Sequence, residues 1–200
     1  MMAVADQQPI LGRAFNDVLT ELHAHVFTGV PGESDPFVLS LLEREYLAYV
    51  LACYYQCDHC LRHHERAIER ERKVMEAAAW NWRKELVKAT LFLRIVKADV
   101  AEIEWEEWLQ SWRAFADRID RHHTSLACYI AYTVGIARND EDLMDLAFGS
   151  ISRNERDDEM LKGIIRDIDR VVIFMKAATS KNRTDPVIVR HLQSREIVAA

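Results

Sequence analysis

The chain has 200 residues, of which half are hydrophobic and 29% are charged, and its formal net charge is -6. This suits one globular domain with its own core. The acidic balance disfavours a nucleic-acid partner, because phosphate binding requires a concentrated basic face. We expect no membrane role, because no apolar stretch is long enough to span a bilayer and the N-terminus lacks the features of a signal peptide. Four cysteines without an export signal predict a cytoplasmic protein whose disulfides would cycle.

The predicted fold class is all-α, because strict apolar/polar alternation is nearly absent and only 6 Gly and 4 Pro are present. Apolar spacing predicts a first helix over residues 11–27. The second is expected to take Ser34 or Asp35 as its N-cap, with Pro36 at its first helical position. Its pattern runs to about residue 79, so we expect an unmarked break, which we place just before Cys57. Later helices are predicted at about residues 82–97, from a cap at Asp99, at about residues 123–137, from Asn139–Asp140 and from about Asn154 to Lys176.

The expected organisation is a single-domain helical bundle. We interpret residues 1–9 as a flexible N-terminus, residues 10–178 as one all-helical domain and residues 179–200 as a C-terminal tail. No function is predicted for the two terminal segments.

Cys57 and Cys60 form a Cys-x-x-Cys pair, and His64 follows four residues later. If Cys57 lies at a helix N-terminus, Cys60 is one turn along, His64 is another turn along, and all three share a face. The partial positive charge of that terminus favours a thiolate, and His64 is placed to accept the proton of Cys60. The sequence therefore predicts a redox or metal site, with Cys60 as the attacking sulfur and Cys57 as the resolving one.

Glu45 projects from an apolar stripe on its own predicted helix. A carboxylate in this position is either desolvated or has a partner. One interpretation is a helix-edge residue paired with Arg44 or a distant lysine. Once the cysteine pair is considered as well, a buried proton relay becomes the better explanation. The apolar neighbours, three and four residues away on either side, are Leu41, Leu42, Ala48 and Tyr49.

Together, Glu45, Cys57, His59, Cys60 and His64 resemble the active-site signature of the AhpD-like alkylhydroperoxidases within the carboxymuconolactone decarboxylase family. That signature is a Glu about a dozen residues before Cys-x-x-Cys-x-x-x-His, sometimes with a His inside the cysteine pair. The resemblance covers roughly residues 43–67 and implies an all-helical, usually oligomeric fold. It also implies that Cys60 is peroxidatic, Cys57 resolves it, His64 is the base, and Glu45 and His59 relay protons.

The function implied is a peroxidase-like oxidoreductase acting on organic hydroperoxides. Its expected partners are the hydroperoxide substrate, an external dithiol reductant or partner redox protein, and further copies of the chain as a homo-oligomer. No bound cofactor or metal is expected. The same centre could instead act as a dithiol reductase of a partner protein, because both roles need only an exposed cycling dithiol.

Three other interpretations stay open. Zinc could be held by Cys57, Cys60 and His64 with His59, His63 or Cys53 as the fourth ligand. Ligands on one face of a single helix, however, are poorly placed to surround a tetrahedral ion. The decarboxylase branch of the family would act on a small carboxylated lactone, but it generally lacks the cysteine pair. In a non-catalytic oligomeric helical protein, an unbroken helix would bury one stripe of inert groups made of Cys53, Cys57, Cys60 and His64.

The remaining histidines are predicted to have no direct role. His63 points about 100° away from His64 on a helix, which is typical of a surface residue or a supporting partner. His23 and His25 are two residues apart, and His122 and His123 are consecutive, so neither pair is spaced like helix-borne metal ligands.

Overall fold

The computed structural model describes residues 17, 19–20, 22–27, 37–75, 80–94, 102–123 and 125–179. Their regular structure is helical throughout, which confirms the predicted all-α class. Within these residues, no helix is both long enough and apolar enough to cross a membrane. The predicted N-terminal segment 1–9, the cap at Asp99 and residues 180–200 lie outside the described part of the chain.

The described residues of the first helix, α1, fall within residues 17–27. The later helices are α2 (Leu41–Tyr55), α3 (Asp58–Met75), α4 (Trp82–Arg94), α5 (Glu102–Asp120), α6 (Leu126–Arg138), α7 (Glu141–Asn154) and α8 (Asp158–Thr179).

Helix α2 lies at the centre and contacts α3, α4, α6 and α8. Residues 44–52 are all buried, so this helix is enclosed on every side and its polar side chains must be paired inside the protein. Arg44 donates a hydrogen bond from Nη1 to the carbonyl of Val26 at 2.8 Å, and its guanidinium lies 4.0 Å from the Phe37 ring centroid. The Arg44 bond ties α1 to α2 one residue before Glu45.

The start of α2 differs from the prediction, which placed it at residues 34–36. The helix begins at Leu41, and Ser40 is its N-cap. A capping box fixes this point: the Glu43 N–H donates to Ser40 Oγ at 3.3 Å, and the Ser40 N–H donates to the Glu43 carboxylate at 2.8 Å. Residues 34–36 themselves lie outside the described residues, and residues 37–40 are not helical.

The break between α2 and α3 falls at Gln56, directly before Cys57 as predicted. Gln56 adopts the left-handed conformation (φ 56°, ψ 43°), and the Cys57 N–H donates to the carbonyl of Ala52 at 3.0 Å. This is the hydrogen-bond pattern of a Schellman motif, which usually has a glycine at the left-handed position. The reversal folds α3 back along α2.

The later helices follow the prediction with shifted ends. Helix α4 starts at Trp82 as predicted, and Asp140 caps α7 by accepting the N–H of Leu143 at 3.1 Å. Helix α8 starts at Asp158 rather than near Asn154, because Asn154 is still the last residue of α7.

Asp167 on α8 anchors the segment that leads into α2. Its carboxylate is fully buried and accepts the N–H groups of Val38 at 2.6 Å and Leu39 at 3.1 Å. Arg166 Nε and Arg170 Nη1 lie 3.6 and 3.9 Å from the other carboxylate oxygen. These bonds hold the two N–H groups outside the helix, which explains why α2 starts later than its sequence suggests.

We expect Asp167→Ala to lower the free energy of unfolding by about 3 kcal/mol, since two N–H groups would lose their charged acceptor. Asp167→Asn keeps one carbonyl oxygen and should cost less. Chemical denaturation measures both values, and the control is Glu159→Gln, an exposed residue of α8 that pairs with Lys162. This surface pair should contribute little. Wild-type stability of Asp167→Ala would contradict the anchoring role.

Candidate redox site

Cys57 and Cys60 lie at the N-terminus of α3. Their sulfur atoms are at disulfide-bonding distance, and their Cα atoms are 5.3 Å apart. The Cys60 N–H donates to Cys57 Sγ at 3.3 Å, so Cys57 is the residue that caps the helix. Such a bond, together with the helix dipole, favours negative charge on that sulfur. Cys57 is half-buried, whereas Cys60 is only 6% exposed.

His64 lies one turn beyond Cys60 on the buried face of α3. Its Nδ1 is 2.7 Å from Oε2 of Glu45, and both residues are almost fully buried. Glu45 is about three turns before the reversal at Gln56 and His64 is about two turns after it, so the helical hairpin places them opposite each other. The carboxylate predicted to need a partner is therefore paired with the predicted base. Pairing through Nδ1 directs the Nε2 side of the ring away from Glu45.

The two cysteines outside the pair have the character of inert thiols. Burial is the main cause that raises the pKa of Cys53 to about 11, and burial likewise raises the pKa of Cys128 to about 11. Both are protonated at neutral pH and therefore weak nucleophiles. The reversal at Gln56 also separates Cys53 from the motif. The non-catalytic interpretation required one unbroken helix from Cys53 to His64. The chain instead changes helix at Gln56, so these residues do not form one continuous stripe.

A pocket of about 440 Å³ lies beside Cys60. Its polar groups are imidazoles, the Cys60 sulfur and the Thr20 hydroxyl, and none of the described residues that line it carries a carboxylate, ammonium or guanidinium group. This lining suits an uncharged ligand with an apolar portion. The lining residues are Leu19, Thr20, His23, His59, Cys60, His63, His64, Phe174 and Ala178.

His23 and His63, which the sequence analysis set aside, both belong to this pocket. Their Nε2 atoms are 3.0 Å apart, and the His63 ring lies edge-on to the His64 ring at 5.1 Å between centroids. Burial lowers the pKa of both His23 and His63; nearby His64 acts in the same direction and Glu45 opposes it. Both rings are therefore neutral at pH 7. Because 40 residues separate them in the chain, no local pattern could have paired them.

The predicted site residues thus fall into a compact arrangement. His59 is exposed and lines the pocket with Cys60 and His64, while Glu45 lies behind His64 and Cys57 adjoins Cys60.

His123 lies in a different environment, among aromatic side chains. Its ring centroid is 4.1 Å from that of Trp80 and 5.1 Å from that of Tyr46. Burial lowers the pKa of His123 to about 4, so the ring is neutral at pH 7. This environment indicates a packing role.

In the described part of the chain, no group of three His, Cys, Asp or Glu side chains could hold a metal ion, so the zinc interpretation gains no support there. A larger groove of about 880 Å³ runs along α8, and its described lining includes Phe148 and Lys176 but neither cysteine nor histidine. Of these two pockets, the smaller one is the one lined by a cysteine and by histidines.

No protein-family model, curated protein or solved structure matches this chain. Because fold class alone does not define an activity, the function must be inferred from the chemistry of the site.

Proposed function

We propose that this protein is a peroxidase-like oxidoreductase that reduces organic hydroperoxides through a dithiol/disulfide cycle of Cys57 and Cys60. One observation carries the proposal: Cys60, which can pair with Cys57, lies beside a buried His64–Glu45 pair, in a pocket whose described lining carries no carboxylate, ammonium or guanidinium group. The resemblance of these residues to the AhpD-like signature supports the same assignment.

The first step oxidises Cys60. His64 takes the thiol proton, and the Glu45 carboxylate stabilises the imidazolium that forms. The Cys60 thiolate then attacks the terminal oxygen of the hydroperoxide, so that an S–O bond forms and the O–O bond breaks. The alkoxide takes up a proton and leaves as an alcohol. Cys60 is left as a sulfenic acid.

The second step forms the disulfide and the third removes it. The Cys57 thiol condenses with the sulfenic acid, an S–S bond forms, and the hydroxyl group leaves with the thiol proton as water. An external dithiol then attacks Cys57, the more accessible sulfur, and Cys60 departs as a thiolate that regains a proton. The second thiol of the reductant resolves the mixed disulfide, so the reductant leaves as a disulfide.

This cycle needs a hydroperoxide, an external dithiol or partner redox protein, and no organic cofactor or metal. A reducing compartment such as the cytoplasm would supply the dithiol. We also propose a homo-oligomer. Large apolar side chains that remain exposed on one chain support it, because they would be covered by association. They are Leu91 at 50%, Phe148 at 41% and Met160 at 45% exposure.

A second candidate function is reduction of a partner protein's disulfide. The half-buried position of Cys57 favours it, because a protein disulfide must reach one sulfur of the pair. The two functions are distinguished by giving the reduced protein either cumene hydroperoxide or insulin with its disulfides intact. Faster reaction with insulin would favour the reductase.

Turnover with dithiothreitol tests the proposal. We expect the wild-type protein to consume cumene hydroperoxide catalytically, over many equivalents, while dithiothreitol is oxidised in equal amount. Loss of hydroperoxide is measured by a ferrous-iron dye assay, with Cys128→Ser as the control because Cys128 lies outside the pocket lining. Consumption no faster than with dithiothreitol alone would rule out the peroxidase function.

A further inference from the structure

We propose that His23 and His63 form a proton relay that supplies the leaving alkoxide, separate from the His64–Glu45 pair that serves the thiolate. This inference rests on the proposed peroxidase function and extends it to α1. It assigns His23 a role in the chemistry that its sequence position does not indicate.

The relay is defined by one hydrogen bond and by the position of both rings in the pocket lining. The 3.0 Å distance between the Nε2 atoms requires one ring to donate its N–H and the other to accept it. Both residues line the pocket that contains Cys60, and His63 is the more exposed of the two. A path therefore leads from solvent through His63 to His23 and the pocket.

The position of His23 is fixed by packing as well as by this hydrogen bond. Its ring lies 5.3 Å from that of Phe27 and 5.5 Å from that of Phe174, measured between centroids. Phe27 in turn packs at 5.1 Å against His64. Phe27 therefore lies between His23 and His64, whereas His63 contacts both His23 and the His64 ring.

A pair of neutral imidazoles can conduct a proton without either ring staying charged. Each ring carries one N–H and one acceptor nitrogen, so a proton given up on the pocket side is replaced through the shared Nε2 hydrogen bond. The charged or titratable groups acting on the pair are His64 and Glu45 for both rings and Arg70 for His63. The pair stays neutral at pH 7, where its donor and acceptor are both available.

In the first step the relay would deliver a proton to the leaving oxygen. When the Cys60 thiolate breaks the O–O bond, the alkoxide needs one proton to leave as the alcohol. His23 donates it, His23 regains a proton from His63, and His63 takes one from water, which leaves a hydroxide ion in the solvent. The proton that His64 removed from Cys60 remains on His64. When the external dithiol later reduces the disulfide, His64 returns this proton to the Cys60 thiolate, one dithiol proton goes to Cys57, and the other neutralises the hydroxide.

Replacing His23 in two ways separates proton transfer from packing. His23→Gln fills the site and can still accept from His63, but an amide does not pass protons, so we expect oxidation of Cys60 to slow about 10²-fold. Oxidation of His23→Ala should be slowed to a similar extent. Free imidazole should raise the rate of this variant at least about 10-fold, because the substitution leaves room for the ring. Imidazole should not rescue His23→Gln.

The measurement is single-turnover oxidation of the reduced protein by cumene hydroperoxide, followed by tryptophan fluorescence. The matched control is His25→Gln, which lies on the same helix but contacts Phe37 and is not part of the pocket; it should react at the wild-type rate. Wild-type rates in His23→Gln, or no imidazole rescue of a folded His23→Ala, would overturn the relay and leave the peroxidase intact. An unreactive wild-type protein would instead remove the proposed function itself.

Discussion

Replacing Cys60 by serine is expected to abolish reaction with hydroperoxide, with a fall of more than about 10³-fold, because a hydroxyl at this position is not a nucleophile at neutral pH. Replacing Cys57 by serine should allow one oxidation per chain and then stop, because the sulfenic acid on Cys60 would have no thiol to condense with. A sulfenic-acid reagent such as dimedone should therefore label the Cys57→Ser protein at Cys60.

The two variants also test which sulfur attacks. Cys60 lies in the pocket beside His64, whereas Cys57 is the sulfur stabilised by the helix N-terminus. Cys53 and Cys128 cannot readily replace the attacking sulfur, because their raised pKa values keep both thiols protonated at neutral pH. Dimedone labelling of Cys57 in the Cys60→Ser protein would reverse the assigned roles.

Glu45→Gln is expected to slow oxidation of Cys60 about 10²-fold while the protein stays folded. Glutamine has the same shape and can still accept the His64 N–H, but it removes the negative charge that offsets the imidazolium. In a site this well buried, an uncompensated positive charge is costly, so less of Cys60 should be present as thiolate. Thiolate content is measured from its ultraviolet absorbance and the rate from single-turnover mixing.

Glu65→Gln is the control for this substitution. Glu65 follows His64 in α3 but pairs with Arg83 on α4 at 2.7 Å, and its side chain is 34% exposed. It should change neither the thiolate content nor the rate. If Glu45→Gln matched the wild type in both measurements, the buried pair would have only a structural role.

Much of the site could be predicted from the sequence because it is local. Glu45, Cys57 and His64 lie on one helical hairpin, so their spacing along the chain largely sets their spacing in space. The break at Gln56 was inferred from the chemistry of Cys57 and not from a breaker, since a left-handed glutamine leaves no mark in the sequence. The structure confirms its position.

The parts that sequence analysis missed depend on distant contacts. The predicted start of α2 was wrong because Asp167, almost 130 residues away, binds the N–H groups of Val38 and Leu39 and keeps them out of the helix. The His23–His63 pair was missed because the position of α1 relative to α3 follows from packing between helices. Helical periodicity predicts which face of a helix is buried, but it does not predict which other helix covers that face.

The most direct test of the redox cycle is disulfide mapping by intact mass after adding about one equivalent of cumene hydroperoxide to the fully reduced protein. We expect rapid loss of two hydrogen atoms per chain, assigned by peptide mapping to a Cys57–Cys60 disulfide, with Cys53 and Cys128 still free. Unchanged mass, or oxidation located mainly at Cys53 or Cys128, would contradict the proposed cycle.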